Sequence, residues 1–170
     1  MVSKRASYAL HGVAYLAYRL PDAPVPFPEI LRYLQGFTKE LSLSPGYISK
    51  VFQDLSRSGL VRAVPGRKGG YALARAPRDV RVIDVVTAVD GAPSAECCLL
   101  SVGGCTCETT CGVHEVIQKA QALFTDYLSR ENADTLARRM FKKGLQAEAG
   151  RRAARSATAR KKARRKGRSR

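Results

Sequence analysis

The sequence has 170 residues, with 30 Lys and Arg against 14 Asp and Glu, and a formal net charge of +16. This length can bury a core without disulfides, and five cysteines confined to one segment are not typical of a secreted, disulfide-stapled domain. Because the sequence shows neither a signal-peptide core nor an apolar run near the roughly 20 residues of a membrane span, we expect a cytoplasmic protein without a membrane segment.

The first two helices are predicted from apolar spacing and from the proline-rich stretch between them. Apolar residues at intervals of three and four predict a helix over 4–19. Residues 20–28 are rich in proline and break the pattern. Residues 29–41 form a second predicted helix, which Gly36 can interrupt.

A third helix has the clearest start and stop signals in the chain. Ser44 suits the N-cap, Pro45 the first turn and Gly59 the C-terminal end. Its spacing predicts a buried stripe of four apolar residues: Ile48, Val51, Phe52 and Leu55. Polar and aromatic side chains are left on or near the open face: Tyr47, Ser49, Lys50, Gln53 and Arg57.

Two short strands, over 60–64 and 71–74, follow this helix and are joined by the turn PGRKGG. The turn places Arg67 and Lys68 at its tip. A capped helix followed by such a hairpin is the layout of a winged helix-turn-helix, in which the helix enters the major groove of DNA and the basic tip approaches the neighbouring backbone. The alternative is a merely flexible surface turn, but the helix directly upstream favours DNA binding.

Two more helices flank a cysteine-rich segment. Residues 78–91 place four valines on one helical face, and a longer helix after the cysteines carries an apolar stripe. That stripe consists of Val113, Val116, Ile117, Ala120, Phe124, Tyr127 and Leu128. Because so small a protein offers few partners for it, we predict a homodimer through this helix, with paired half-sites on DNA. The alternative is that the first helix and the valine helix cover the stripe within one chain.

Most of the positive charge lies at the C-terminal end. Residues 151–170 contain 11 of the 30 basic residues and no acid, which leaves 19 basic and 14 acidic residues, or +5, for residues 1–150. The tail has no large apolar side chain and cannot bury a core, so we expect it to be disordered alone. It is either a solubilising segment or a source of non-specific affinity for DNA phosphates.

All five cysteines and one of the two histidines lie in residues 97–114. Thiolates are soft ligands that suit iron–sulfur clusters and zinc. Since the segment lacks the paired knuckles of structural zinc sites, the spacing favours an iron–sulfur cluster. A zinc site stays open, as does a thiol redox switch in which Cys97 and Cys98, or Cys105 and Cys107, are close pairs.

Several stretches resemble the Rrf-two family of winged-helix transcriptional regulators, which includes IscR-like and NsrR-like proteins. They are SYALHGVAYLA in the first helix, SPGYISKVFQDLSRSGLVRAVPGRKGGYALARAP through the third helix and hairpin, VIDVVTAVDG, and the cysteine segment before a long helix. The resemblance covers about residues 3–140. It implies a homodimer that binds operator DNA and, in many members, holds an iron–sulfur cluster on three cysteines. Of the two cluster types that the family uses, we expect 2Fe-2S rather than 4Fe-4S.

The resemblance also implies cysteine ligands for the cluster. Cys105 and Cys111, followed by His114, match the ending of the IscR-like motif. Cys98 is then expected to be the first ligand, while Cys97 and Cys107 are weaker candidates.

The fourth ligand implied by the resemblance is a histidine or a carboxylate. IscR-like proteins use a histidine after the third cysteine, which is His114 here. NsrR-like proteins use a carboxylate from the first helix of the partner subunit, but Ser7 occupies that position in this sequence and is a poor ligand. His11 lies one helical turn after Ser7 and is a further candidate.

Together these patterns predict a mainly α fold with a small β-hairpin wing, in which a winged helix-turn-helix domain is joined to a long dimerisation helix. The expected division is 1–91 for the DNA-binding domain, 92–112 for the cysteine-rich loop, 113–145 for the dimerisation helix and a further helical segment, and 146–170 for the disordered basic tail. The resemblance implies that the cluster controls operator affinity in response to iron–sulfur status, nitric oxide or redox stress. The residues expected at DNA are Ser44, Tyr47, Ser49, Lys50, Gln53, Arg57, Arg67 and Lys68.

Three other functions compete with this interpretation. A cluster-free thiol or zinc regulator would keep the DNA-binding role. An electron-transfer or iron–sulfur scaffold protein would bind an acidic protein partner. The third helix and the wing argue against this function, because it does not explain them. A hydrolytic enzyme is disfavoured because the sequence has two histidines, no phosphate-binding glycine loop and no nucleophile paired with a base, so no enzymatic activity is expected.

Overall fold

The computed structural model describes residues 2–19, 24–38, 43–67, 69–92 and 114–142 of the chain. The helices in these ranges are α1 (Lys4–Arg19), α2 (Phe27–Thr38), α3 (Pro45–Arg57), α4 (Val82–Asp90), α5 (His114–Arg130) and α6 (Ala133–Met140). A short 3-10 turn occupies Pro77–Asp79, and strands β1 (Val61–Val64) and β2 (Gly70–Leu73) pair antiparallel. The architecture is mainly helical with one small hairpin, as the sequence predicts.

Helix α1 runs through the core and packs against α3, α4 and α6. Its buried face contains several alanines and Gly12, small residues that let neighbouring helices come close. A Cβ atom at Gly12 would lie 2.7 Å from the ring of Phe52, a fully buried residue of α3. Any larger residue at position 12 would therefore push the ring of Phe52, and with it α3, away from α1.

Helix α3 begins and ends where its sequence signals predict. Ser44 takes the extended N-cap conformation ahead of Pro45, although its side chain makes no capping hydrogen bond. Gly59 follows the helix with φ of 69°, a left-handed conformation that glycine adopts without strain. The predicted apolar stripe is buried in full: Ile48, Val51, Phe52 and Leu55.

The hairpin is anchored by a segment that the sequence identifies only as a proline-rich break. Val25 exchanges two backbone hydrogen bonds with Tyr71 of β2, at 2.7 Å and 2.9 Å. Gly70 makes this approach possible, because a Cβ atom there would lie 2.0 Å from the carbonyl oxygen of Val25. The wing is therefore tied through β2 to the chain that enters α2.

Two helix boundaries differ from the predicted ones, and proline explains both differences. Helix α2 starts at Phe27, earlier than expected, because Pro28 lies in the first turn, where a missing N–H costs no hydrogen bond. The helix also continues through Gly36. Helix α4 starts only at Val82, since the residues from Pro77 first form the 3-10 turn.

Helices α5 and α6 meet at a corner that is fixed to the start of α4. The carbonyl oxygen of Glu131 accepts a hydrogen bond of 2.9 Å from the backbone N–H of Val82. Asn132 caps α6: its side chain accepts from the backbone N–H of Thr135 at 3.0 Å, and the Thr135 hydroxyl accepts from the N–H of Asn132 at 3.2 Å. Helix α6 then packs along α1.

Helix α5 extends from this corner with much of its apolar face open. Leu128, near the corner, is buried, whereas Val116 is 67% exposed and Leu123 is 72% exposed. Phe124 and Tyr127 are exposed on the same helix. Among the described residues, no helix combines the length and the apolar character that crossing a membrane requires.

Candidate DNA-binding face and cysteine segment

The exposed side of α3 carries most of the residues predicted to contact DNA. Ser44 is exposed at the N-cap, and Ser49 is half-buried along one edge. From residue 47 to the C-terminal end of α3, exposed side chains recur every three or four residues and so lie on one side of the helix. We call these residues the α3 stripe: Tyr47, Lys50, Gln53 and Arg57.

The tip of the hairpin is closed by glycines and presents Arg67 to solvent. The N–H of Gly69 donates a hydrogen bond of 2.9 Å to the carbonyl of Gly66, whose φ is 107°. A Cβ atom at Gly69 would lie 2.2 Å from the carbonyl oxygen of Val64, so the tight turn requires glycine there. Lys68, the other predicted tip residue, lies outside the described residues.

Helix α1 contacts α3 beside the α3 stripe through two side chains, and the sequence pattern predicts neither contact. Tyr8 packs edge-on against Tyr47, with ring centroids 6.0 Å apart and an interplanar angle of 83°. Arg5 forms an ion pair with Asp54, and Arg57 lies 3.5 Å from the other carboxylate oxygen of Asp54. The only available signal is that Asp54 is the single acid in the α3 sequence.

The cysteine segment joins α4 to α5. All the predicted cysteine ligands lie outside the described residues: Cys97, Cys98, Cys105, Cys107 and Cys111. On the α4 side of the segment, Asp90 accepts a hydrogen bond of 2.6 Å from the Ser3 hydroxyl, which ties the end of α4 to the start of α1. Within the described part of the chain, no group of three or more His, Cys, Asp or Glu side chains is arranged to hold a metal ion.

The two histidines occupy different positions relative to this segment. His114 is the first residue of α5. His11 is half-buried on α1, one turn after Ser7, with Nδ1 3.3 Å from the Tyr33 hydroxyl and its ring centroid 3.6 Å from that of Phe37. Burial lowers the pKa of His11, so its imidazole is neutral at neutral pH, and burial raises the pKa of Tyr33 to about 12.

Comparison with known proteins gives this arrangement a family. Residues 2–139 match Rrf2, a family described as iron-dependent transcriptional regulators. The chain belongs to the Rrf2 family. It is 27% identical to the HTH-type transcriptional regulator IscR of Pectobacterium carotovorum over 135 residues, which cover 79% of this chain and 77% of that protein. It is also 28% identical over 133 residues to an rrf2-like regulator of Rhodobacter capsulatus, covering 75% of this chain and 84% of that protein.

Membership of the Rrf2 family confirms the Rrf-two resemblance and makes the chain a DNA-binding transcriptional regulator. Rrf2 proteins are regulators and not enzymes, in agreement with the expected lack of enzymatic activity. The α3 stripe and the wing are therefore the natural candidates for its DNA-binding surface.

Solved structures of Rrf2 regulators confirm the fold class. CymR of B. subtilis superimposes with a TM-score of 0.64 at 20% identity, over 81% of this chain and 95% of that one. IscR of T. potens superimposes with a TM-score of 0.59 at 26% identity, over 80% of this chain and 85% of that one. The mainly helical fold with a hairpin wing is therefore that of a winged-helix regulator.

Proposed function

We propose that this Rrf2 regulator binds operator DNA as a homodimer and that an iron–sulfur cluster on its cysteine segment controls its operator affinity. The observation that carries the proposal is the concentration of all five thiols between α4 and α5 in a DNA-binding chain. The description of the family as iron-dependent and the similarity to IscR proteins support it. The signal would be iron–sulfur status, nitric oxide or redox stress.

The ligands that we assign to the cluster are three thiolates and one imidazole: Cys98, Cys105, Cys111 and His114. A bound cluster would supply a redox-active and labile inorganic centre. Both donor types suit it, because thiolate and neutral imidazole bind iron. His114 is preferred to His11, since it directly continues the cysteine segment, whereas Nδ1 of His11 already faces the hydroxyl of Tyr33. Cys97 and Cys107 are the alternative thiolates, and a 2Fe-2S cluster is expected before a 4Fe-4S cluster.

The open apolar face of α5 supports the homodimer. A second copy packed on this face would bury Val116, Leu123 and Phe124, which are exposed in a single chain. Two-fold symmetry would then present two α3 stripes and two wings to successive half-sites on one DNA duplex. Base contacts would come from the α3 stripe with Ser44 and Ser49, and phosphate contacts from the basic residues of the stripe and wing.

The position of the segment gives the cluster a way to influence DNA binding. It connects α4, which belongs to the DNA-binding part, to α5, the proposed dimerisation helix. A cluster there changes operator affinity only by the difference between its own interaction energies with two arrangements of these helices. The hydrogen bond between the Ser3 hydroxyl and Asp90 joins the end of α4 to the start of α1.

Protein purified without oxygen tests the cluster directly. We expect visible absorption and equal amounts of iron and acid-labile sulfide, whose count per chain separates 2Fe-2S from 4Fe-4S. Cys105→Ser should abolish both signals, whereas Cys107→Ser, a matched loss of one thiol in the same segment, should retain them. Colourless protein without iron or sulfide, even after reconstitution, would contradict the proposal.

The second candidate is a regulator that senses redox state through its thiols without a cluster. Two pairs of nearby cysteines favour it, namely Cys97 with Cys98 and Cys105 with Cys107. The CymR structure that superimposes on this chain is described as that of a global cysteine regulator. Free-thiol counts that fall in steps of two on oxidation, in protein without iron, would favour this candidate, and stoichiometric zinc would indicate a zinc site instead.

The basic tail and the cellular setting complete the proposal. Residues 151–170, with 11 Lys and Arg and no acid, would add sequence-independent affinity for DNA phosphates. Ligand thiols must stay reduced, so we place the protein in the cytoplasm.

A further inference from the structure

We propose that Arg5, Asp54 and Arg57 form one binding site for a backbone phosphate of DNA at the edge of the α3 stripe, in which Arg5 contacts the phosphate and Asp54 limits the net charge of the cluster to +1. The inference rests on DNA binding by this Rrf2 regulator and is independent of the iron–sulfur cluster. It extends the DNA-binding surface from α3 and the wing to the first turn of α1.

The site contains an acidic side chain beside the surface that we propose to face DNA, where a negative charge is unfavourable for binding. Asp54 lies on α3 between Gln53 and the turn that carries Arg57, two residues of the α3 stripe. A lone carboxylate facing phosphates would repel them. Asp54 is not alone, because Arg5 donates to its Oδ2 atom and Arg57 lies 3.5 Å from its Oδ1 atom.

Charge and exposure favour an anion as the missing partner. One carboxylate shared by two guanidinium groups leaves the cluster with a net charge of +1. The Asp54 side chain is 17% exposed, while those of Arg5 and Arg57 are 32% and 78% exposed. The carboxylate is therefore the least exposed of the three groups. A guanidinium held on one side by a carboxylate keeps N–H donors for a phosphate on the other.

The packing of α1 holds Arg5 beside the stripe. The contact between Tyr8 and Tyr47 fixes α1 against the N-terminal half of α3, one turn along α1 from Arg5. Gly12, a further turn along α1, rests against Phe52 in the core. Since three successive turns of α1 contact α3, Arg5 is held in place relative to the stripe and loses little conformational entropy when it binds a phosphate.

The chain provides a matched control cluster away from α3. Asp134 of α6 also pairs with two arginines, Arg78 of the 3-10 turn at 3.5 Å and Arg138 at 3.1 Å. Its side chain is 26% exposed, close to the value for Asp54. The two clusters share their chemistry and differ in their position relative to the α3 stripe.

The first test is the salt dependence of binding to a mixed-sequence DNA duplex, measured for the full chain by fluorescence anisotropy. Arg5→Gln should reduce the slope of log affinity against log salt by about 0.9 and weaken binding about eightfold at about 0.1 M salt, the effect of one lost phosphate contact. Arg78→Gln should leave the slope unchanged. A wild-type slope in folded Arg5→Gln would overturn the proposal and reduce the ion pair to a structural role.

The second test reverses the sign of the effect and does not depend on losing Arg5. Asp54→Asn keeps the shape but removes the anion, so the cluster charge rises by one and affinity for the same duplex should increase. Asp134→Asn should have no such effect. A fall in affinity in Asp54→Asn, in step with lower thermal stability, would show that Asp54 only holds α1 to α3. Lack of any DNA binding by the wild type would instead contradict the DNA-binding function itself.

Discussion

Apolar residues are buried in one part of the molecule and exposed in another. The two parts are the DNA-binding head, formed by α1 to α4 and the hairpin, and helix α5. In the head, the predicted apolar stripe of α3 and the four valines of α4 are buried within one chain. On α5, Leu128 is buried next to the head, but Val116 and Leu123 are mostly exposed. Apolar surface of this kind on a helix is usually covered in the functional state. The difference agrees with the proposed homodimer, in which the head is complete in one copy and a second copy would cover α5.

The largest expected effect is the loss of a core side chain from the head. Phe52→Ala removes a fully buried ring that contacts Gly12, and we expect it to lower the free energy of unfolding by about 3–5 kcal/mol. Phe37→Ala removes the same side chain from a position that is 53% exposed, and should cost only about 1 kcal/mol, the contribution of its ring contact with His11. Chemical denaturation measures both values. Equal losses in the two variants would contradict the description of α3 as part of the core.

The sequence predicts the buried stripe of α3 because burial along one helix follows from local spacing. The same reasoning places the valines of α4 and the exposed α3 stripe correctly. It does not predict the bridge from Val25 to Tyr71 or the ion pair from Arg5 to Asp54. Those contacts join residues distant in the chain, and periodicity shows that a residue faces a neighbour without showing which neighbour it meets.

The candidate site divides along the same line. The α3 stripe and Arg67 could be identified as surface groups from helical spacing and turn chemistry alone. The role of Asp54 could not be identified in this way, because it depends on ion pairs with two arginines, one of them on another helix. The cysteine ligand set stays a prediction, since Cys98, Cys105 and Cys111 lie outside the described residues.

The second prediction concerns the open face of α5. Leu123→Asp places a charge at a position that is 72% exposed in one chain and that we propose to be buried between two. It should convert the dimer to monomers in analytical ultracentrifugation, because an unpaired charge in an apolar interface is costly. The head should keep its stability within about 0.5 kcal/mol, as expected for a substitution on an exposed surface.

A control on the same helix separates this effect from a general effect of charge. Gln118 is exposed and lies roughly 140° around α5 from Leu123 at 100° per residue. Gln118→Asp should therefore leave the dimer intact. If Leu123→Asp remains a dimer, the apolar face of α5 is not the dimer interface. Cover of that face within one chain would then be favoured.

The third prediction separates DNA affinity from both stability and assembly. Replacing Arg67 and Lys68 at the wing tip by alanine should weaken operator binding and lower the salt slope by about 1.8, if each residue contacts one phosphate. The operator for this test can be selected from a random DNA library. The dimer and the unfolding free energy should stay unchanged, because Arg67 is exposed at a turn closed by glycine backbone contacts and not by side chains.

Alanine at Arg78 and Arg138 removes the same charge from the surface of the 3-10 turn and α6, and should leave the slope unaltered. Unchanged affinity in the wing variant would confine DNA contact to the α3 stripe and its α1 edge. A parallel loss in the control would mean that only net charge matters, and that the wing has no particular place at the DNA.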